Sequence, residues 1–293
     1  MNLTLLTLTM NFKSIVTLTT IPERINPEER GNDPKGIRKT LDVLLSQTYD
    51  NYEVHLNIPY VSIKTGKEYI LPSWISDLDP KLKILRTDDF GSITKIAPTL
   101  KRVTDPEQII IICDDDIIYH EDMVRIQTFN QQRFPGAAVG YDGMKALDPR
   151  VYPDEGDVRK HFVTSVNKNV QVLKLQGYKT ISLRRKYFDD SFFTDFVGKS
   201  WCDDTVISSH LSYMKVPRIV TWHPRDPVLN TIEEWREFGG ACKSFPAISS
   251  SSHGKKEGCN LFRAERINPA GGDDFLSQHF KNEKQENSIY PYT

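Results

Sequence analysis

Four consecutive isoleucines, Ile109 to Ile112, run through Cys113 into three aspartates, Asp114, Asp115 and Asp116. An unbroken β-branched run of this length predicts a central strand buried on both faces. The carboxylates then arrive together where that strand leaves the core. Adjacent anions repel one another and resist desolvation, so they need a cation or bulk water close by. No Lys or Arg flanks them in the sequence. An Asp-x-Asp at the carboxyl end of a strand offers hard oxygen ligands to Mg²⁺ or Mn²⁺ and leaves the remaining coordination positions to phosphates. A solvated turn is the plainer reading of a lone Asp pair. The clean strand in front and the missing counter-charge favour a metal-phosphate role for Asp114 and Asp116.

The chain has 293 residues, enough for one large α/β domain and a sizeable core. Its 38 basic and 39 acidic residues balance, which removes the electrostatic reason to expect nucleic acid or an anionic membrane as the main partner. Cys113, Cys202, Cys242 and Cys259 show no CxxC spacing, and Cys113 falls in the expected buried strand. Reduced thiols in a cytoplasmic compartment are therefore expected, not a disulfide framework. The apolar, Thr-rich stretch Met1 to Met10 has no basic lead and is too short to span a bilayer, so it reads as a leader into the first strand.

Ser14 to Thr20 is a β-branched strand ended by Pro22, and Ile37 to Gln47 places Ile37, Leu41, Leu44 and Leu45 at helical spacing. Tyr52 to Ile58 and Lys81 to Leu85 alternate as strands, and Ile93 to Val103 reads as a helix despite Pro98. This rhythm predicts an α/β fold with crossover helices, in which ligands collect outside the carboxyl ends of the strands. Further on, Val170 to Leu175 and Thr180 to Leu183 suggest a β-hairpin around Gln176 to Lys179, with Asp203 to Met214 a helix. Asp148 to Asp157 reads as a loop, and the chain turns polar past Arg236. The expected division is a domain over 1–235 and a partly mobile C-terminal extension over 236–293.

Other residues combine with the triplet. Thr19 and Arg24 follow the first strand and can meet a nucleotide, although Arg24 also reads as an ordinary surface charge. Asp88-Asp89 with Gly91 and Lys95 follows the third strand; Gly91 permits a tight turn and Lys95 can reach a phosphate or orient a carboxylate. Asp203 and Asp204 open a helix, where either serves as an N-cap on stability grounds alone. The Phe-rich stretch before them (Phe188, Phe192, Phe193, Phe196) suits a sugar ring and would raise a carboxylate's pKa. His223 is a candidate neutral ligand for the same metal, against the commoner structural histidine.

Taken in order, several segments resemble GT-A-fold glycosyltransferases related to family 2. They are Thr17 to Ile25, Leu41 to Thr48, Leu56 to Pro59, Asp88 to Lys95, Cys113 to Tyr119, Gly177-Tyr178 with Arg184-Arg185, and Cys202 to Ser208. The resemblance covers about residues 14–225. It implies a Rossmann-like, mixed and mainly parallel sheet flanked by helices, a nucleoside-diphosphate sugar donor (a UDP-sugar foremost), Mn²⁺ or Mg²⁺ on the Asp-x-Asp, and a late acidic residue as catalytic base. Two features depart from the pattern. Cys202 replaces the usual small residue before the late Asp pair, and Gly177 to Thr180 lacks the family's second glycine.

On this reading a sugar passes to an acceptor hydroxyl with inversion, in glycan or polysaccharide synthesis. Asp204 is the first choice for the base and Asp203 the second. Asp114 and Asp116 hold the metal with His223; Asp115 points away from it, though it joins Thr19, Arg24, Asp89, Lys95 and Asp114 on the donor. Two alternatives stay open: a metal-dependent phosphohydrolase or nucleotidyltransferase, and a non-catalytic nucleotide-sugar-binding protein. No nucleic acid partner and no transmembrane segment are expected.

Overall fold

In the computed structural model, residues 12–25, 37–144, 162–163, 168–198 and 202–221 are described. The leader Met1 to Met10, the loop Asp148 to Asp157, His223 and the extension 236–293 lie outside these residues. In chain order the strands are β1 (Ser14–Thr19), β2 (Tyr52–Pro59), β3 (Leu82–Thr87), β4 (Ile109–Ile112), β5 (Ala138–Gly140), β6 (Gly143–Met144), β7 (Phe162–Val163), β8 (Val170–Gln171), β9 (Lys174–Leu175), β10 (Ile181–Arg184) and β11 (Arg218–Val220). The helices are α1 (Pro22–Ile25), α2 (Arg38–Leu45), α3 (Ala97–Arg102), α4 (Met123–Arg133) and α5 (Asp203–Tyr213).

Eight strands form one sheet in the order β3-β2-β1-β4-β10-β5-β11-β8. The pairs β3-β2, β2-β1, β1-β4 and β5-β11 are parallel, while β10 and β8 run against their neighbours. This is the mixed, mainly parallel Rossmann-like sheet that the resemblance implies. A second sheet is three-stranded, in the order β7-β6-β9.

The isoleucine run sits at the centre as expected, with all four side chains fully buried. Period-two alternation divides them between two cores. Ile109 and Ile111 join Val16, Leu18, Leu41, Leu44, Leu56 and Ile58 on the α2 side. Ile110 and Ile112 join Ala97, Leu100, Ile181, Leu183, Val206 and Leu211 on the α3 and α5 side.

Three expectations are corrected. The Val170 to Leu183 hairpin does not form: β8 pairs with β11, β9 with β6, and β10 inserts antiparallel between β4 and β5. The Ile93 helix begins as a 3₁₀ turn over Gly91–Lys95, and α3 starts only at Ala97 with Pro98 in its first turn, where the missing N–H costs nothing. The N-cap of α5 is Cys202, so Asp203 and Asp204 occupy its first turn.

Candidate active site

β1, β2, β3 and β4 are mutually parallel, so their carboxyl ends share one edge of the sheet, where ion pairs bring together Arg24, Lys95, Asp114, Asp115, Asp116 and Asp203. Past Ile112, the Cys113 N–H still bonds the Thr17 carbonyl at 3.0 Å, and the chain then leaves the sheet into the triplet. The turn is held from below: the Asp114 N–H donates to the Tyr119 hydroxyl at 2.8 Å, and the Thr40 hydroxyl donates to the Asp115 carbonyl at 2.9 Å. Tyr119 is fully buried.

The counter-charges absent from the local sequence come from a distance. Arg24 of α1 pairs with Asp115 in a short contact and with Asp116 at 3.1 Å. Asp115 also accepts the Thr20 hydroxyl at 2.5 Å. Its two carboxylate oxygens are thus engaged by Arg24 and Thr20, and it anchors Arg24. Asp116 reaches the same guanidinium through Oδ2, so the two neighbouring carboxylates share Arg24.

Lys95 of the 3₁₀ turn is the other cation. Its ammonium pairs with Asp114 in a short contact and with Asp203 at 2.7 Å. Burial alone would push its pKa down, yet Asp114 and Asp203 together hold it well above the ordinary lysine value. Its backbone is pinned as well. The Lys95 carbonyl accepts the Thr17 hydroxyl at 2.6 Å and the Asn57 amide at 3.1 Å, in a buried network with Thr99. Three elements, β1, β2 and α3, therefore fix the position of one ammonium.

Asp204 lies in the same first turn of α5. Its Oδ1 accepts the Gly177 N–H at 2.7 Å. A Cβ on Gly177 would sit 2.9 Å from that oxygen, so only glycine allows this approach. Burial, then the neighbouring Asp203, pushes the Asp204 carboxyl up to about 7. A carboxylate with a pKa near neutrality can both release and take a proton at working pH.

The turn carrying Gly177 ends at Thr180, whose N–H bonds the Gly177 carbonyl at 2.9 Å. Thr180 holds φ 90° and ψ 145°, a conformation that side chains rarely adopt. The Gln127 amide of α4 donates to its buried hydroxyl, and Gln127 in turn accepts the Ser182 hydroxyl at 2.6 Å.

Two expected donor contacts are already engaged. The Thr19 hydroxyl donates to the Asn57 carbonyl at 2.8 Å. Asp89 accepts the Gly91 N–H at 2.8 Å, the Thr94 hydroxyl at 3.1 Å and the Ile63 N–H at 2.9 Å, so its carboxylate shapes the loop after β3. The Phe-rich stretch is no open sugar platform. Phe188, Phe192 and Phe196 are buried and enclose the His210 ring of α5 at centroid distances of 5.0–5.1 Å. Gly177 enters the site through its backbone N–H, Tyr119 through its hydroxyl, and Thr180 supports the turn through its hydroxyl and its N–H. Gly177 and Tyr119 both fall in segments that carry the resemblance, but nothing in the sequence marked their roles.

The donor set fits a divalent ion of the Mg²⁺ class in one respect and limits it in another. Asp114, Asp115, Asp116 and Asp203 share the two cations Arg24 and Lys95, and Lys174 acts on the fifth carboxylate, Asp204, through its charge. Burial and the adjacent carboxylates push Asp116 up to about 6 despite Arg24. Five carboxylates thus lie near three cations, and among the described residues Asp114 pairs through Oδ1 and Asp116 through Oδ2. Yet no group of three or more His, Cys, Asp or Glu among the described residues could cage an ion.

No known family model matches the chain, and no curated protein matches it. Solved structures do show similarity. One is S. aureus TarS 1-349 in complex with UDP-GlcNAc, at 12% identity and TM-score 0.49, covering 82% of this chain and 61% of that one. The chain thus spans about three-fifths of that TarS fragment. Another is 4-diphosphocytidyl-2C-methyl-D-erythritol synthase from Anaerococcus prevotii, at 13% identity and TM-score 0.48, covering 80% and 96%. These likenesses concern the course of the chain and say nothing of its chemistry. Among the described residues no helix is long and apolar enough to cross a membrane.

Proposed function

We propose that the protein is a divalent-metal-dependent glycosyltransferase that moves a sugar from a nucleoside diphosphate, UDP foremost, to an acceptor hydroxyl with inversion. One observation carries this reading. A single buried ammonium, Lys95, ties the strand-end carboxylate Asp114 to the helix-start carboxylate Asp203, with Asp204 next to it. Phosphate-side and proton-side groups are thereby held a few ångströms apart.

Asp114 and Asp116 would hold the ion, with His223 proposed as a further ligand. When bound, the ion supplies Lewis-acid stabilisation of the charge that grows on the departing diphosphate. Lys95 and Arg24 contribute fixed positive charge to the same oxygens, already oriented by Asp203 and Asp115. Thr19 and Asp89 form the wall on the nucleoside side. Asp204 takes the acceptor hydroxyl's proton as the hydroxyl attacks the anomeric carbon from the face opposite the leaving group, and Asp203 is the second choice for that role.

Release of nucleoside diphosphate from a panel of UDP-sugars, with and without simple glycoside acceptors, tests the reading. Acceptor-stimulated release is expected with Mn²⁺ and lost in EDTA. UDP should raise the melting temperature with Mn²⁺ much more than with EDTA, and Asp116→Ala should abolish that difference while the protein stays folded. An equal rise in EDTA overturns the metal assignment. Cleavage without any sugar transfer favours a hydrolase.

A further inference from the structure

The carboxylate cluster closes into a ring of bonds. On its charged side Lys95 joins Asp114 to Asp203. Asp204 follows Asp203 in the first turn of α5 and accepts the Gly177 N–H at 2.7 Å. One residue further along that 3₁₀ turn, Gly177–Lys179, the Tyr178 carbonyl accepts the Tyr119 hydroxyl at 3.3 Å. The same hydroxyl accepts the Asp114 N–H at 2.8 Å, which returns the path to its start. The Asp114 turn and the Asp204 turn are thus joined twice, once by an ammonium and once by a phenol.

The two links differ in what disturbs them. The ammonium link is a matter of charge, and it changes whenever a cation or an anion arrives beside Asp114. The phenol link runs between two backbone groups, which keep their polarity at every pH and beside any ligand. Tyr119 is fully buried, and its side chain belongs to the α2-side core with Ile111, Ile117 and Met123. Packing therefore fixes the stem, and water does not compete for the hydroxyl. A hydroxyl gives one proton and offers two lone pairs. A carbonyl can only accept, so the proton goes to Tyr178; the Asp114 N–H takes one lone pair, and the Cys113 thiol bonds the same oxygen. A phenyl ring in this place leaves both backbone groups without their shared partner.

We propose that Tyr119 is a positioning residue for the transfer, its hydroxyl holding the Gly177 turn at a fixed distance from the Asp114 end of the triplet. The catalytic consequence rests on the reading of Asp204 as the base, whereas the strut itself does not. The Gly177 N–H stabilises the Asp204 carboxylate by donating to it. When the strut is cut, the turn loosens, the bond weakens and the protonated carboxyl gains. The reaction then needs a higher pH.

The test compares Tyr119→Phe with Tyr187→Phe. Tyr187 is also buried, and its hydroxyl donates to the Pro135 carbonyl at 2.8 Å. It follows the Arg184 end of β10, which pairs with Ile109 at the start of β4, on the edge opposite the carboxylates. Both variants should lower the urea midpoint. Only Tyr119→Phe should move the pH-rate profile: transfer from a UDP-sugar should be about threefold slower than wild type around pH 6 and equal to it by about pH 9. An unmoved profile, or an equal movement in Tyr187→Phe, overturns the proposal. A second reading needs no turnover and so separates the strut from the glycosyltransferase assignment. Urea midpoints of wild type and of Tyr119→Phe, each set against its own Asp204→Asn counterpart across the pH range, report the ionisation of Asp204. That ionisation should lie at higher pH without the Tyr119 hydroxyl; the same pH in both pairs overturns the proposal even where no sugar is transferred. Should Tyr119→Phe not fold, hydrogen exchange on wild type decides. The Asp114 and Gly177 amides should be protected and open together, and an Asp114 amide that exchanges like that of a free loop overturns the strut.

Discussion

The two ends of α5 hold two titratable side chains, Asp204 half-buried and His210 fully buried, and loss of water drives both toward their neutral forms. Asp204 in the first turn is pushed up to about 7, and His210 in the last turn is pushed down to about 4. Their surroundings differ. Asp204 accepts a backbone N–H from Gly177, and its neighbour Asp203 is paired with Lys95, which reaches the triplet. His210 is stacked on Phe188 and edged by Phe192 and Phe196, and no side chain among the described residues hydrogen-bonds its ring nitrogens. The same desolvation thus has two outcomes. Where polar partners surround the group, its proton can be exchanged with a substrate; where aromatic rings surround it, the group is a flat packing piece that must stay neutral.

The comparison breaks first at Asp204. Asp204→Asn keeps the shape and can still accept the Gly177 N–H, but it cannot take a proton. Transfer should fall by ~10²–10⁴ with UDP affinity nearly unchanged. In wild type the rate should climb as pH rises through about 7, because the base must be ionised. The stability effect has the opposite sign. A carboxyl whose folded pKa lies above its unfolded value loses stability as pH rises through the folded value. Asp204→Asn should therefore gain on the order of a few kcal/mol over wild type at pH 8. Urea denaturation and pH-rate profiles read both effects, and transfer at wild-type rate would leave Asp204 no more than a first-turn acid.

Lys95 separates a compensated cluster from an uncompensated one. Lys95→Met keeps the stem but leaves Asp114 and Asp203 facing each other in a buried site. Removing one partner of a buried ion pair costs about 3–5 kcal/mol. Mn²⁺ should restore part of that loss by replacing the missing charge, which calorimetry with and without EDTA measures. A loss indifferent to Mn²⁺ argues against an ion at Asp114.

His210 is the control. An imidazole whose folded pKa lies below its unfolded value contributes fully above about pH 6.5, and the contribution fades as pH falls toward 4. His210→Leu should match wild type near pH 8 and exceed it by about 2 kcal/mol at pH 5. UDP-sugar turnover per folded molecule should not move; a large loss of turnover would bring the aromatic cage into the site after all.

The residues legible in advance are those whose signal is local. Ile109 to Ile112 announces a strand buried on both faces by composition alone, and Asp114 to Asp116 announces a site by charge density. The half of the sheet built from β3, β2, β1 and β4 follows from period-two and helical spacing. The other half does not, because β5, β8 and β11 are two or three residues long and carry too few side chains to show a period. The expected hairpin failed for a related reason: β10 finds its partners in β4 and β5, a choice made by tertiary packing. Arg24 and Lys95 were visible as candidates, but not as the counter-charges of particular carboxylates, since both pairings are long-range. The Phe residues misled because an aromatic run reads alike whether it faces a sugar or a histidine.

The smallest expected effect lies in the turn that serves Asp204. Thr180 is β-branched at φ 90°, and such strain costs about 1–3 kcal/mol. Its hydroxyl is the acceptor for the buried Gln127 amide, and leaving that donor unpaired also costs about 1–3 kcal/mol. Thr180→Gly removes both terms, so stability should change by no more than about 1 kcal/mol. Thr180→Ala retains the strained backbone and loses the hydroxyl, and should destabilise by about 1–3 kcal/mol. The pair of urea midpoints isolates the strain: equal losses in the two variants would show that the backbone at Thr180 stores none. Activity should separate from stability in the glycine variant. Without Thr180 the Gly177 N–H is held less firmly against Asp204, which favours the protonated carboxyl, so the pH-rate profile should move upward. A loosening of about 1 kcal/mol corresponds to a roughly fivefold slower transfer near neutrality, recovered at higher pH. Thr180→Ser, which restores the hydroxyl on an unbranched side chain, should return the profile to that of wild type.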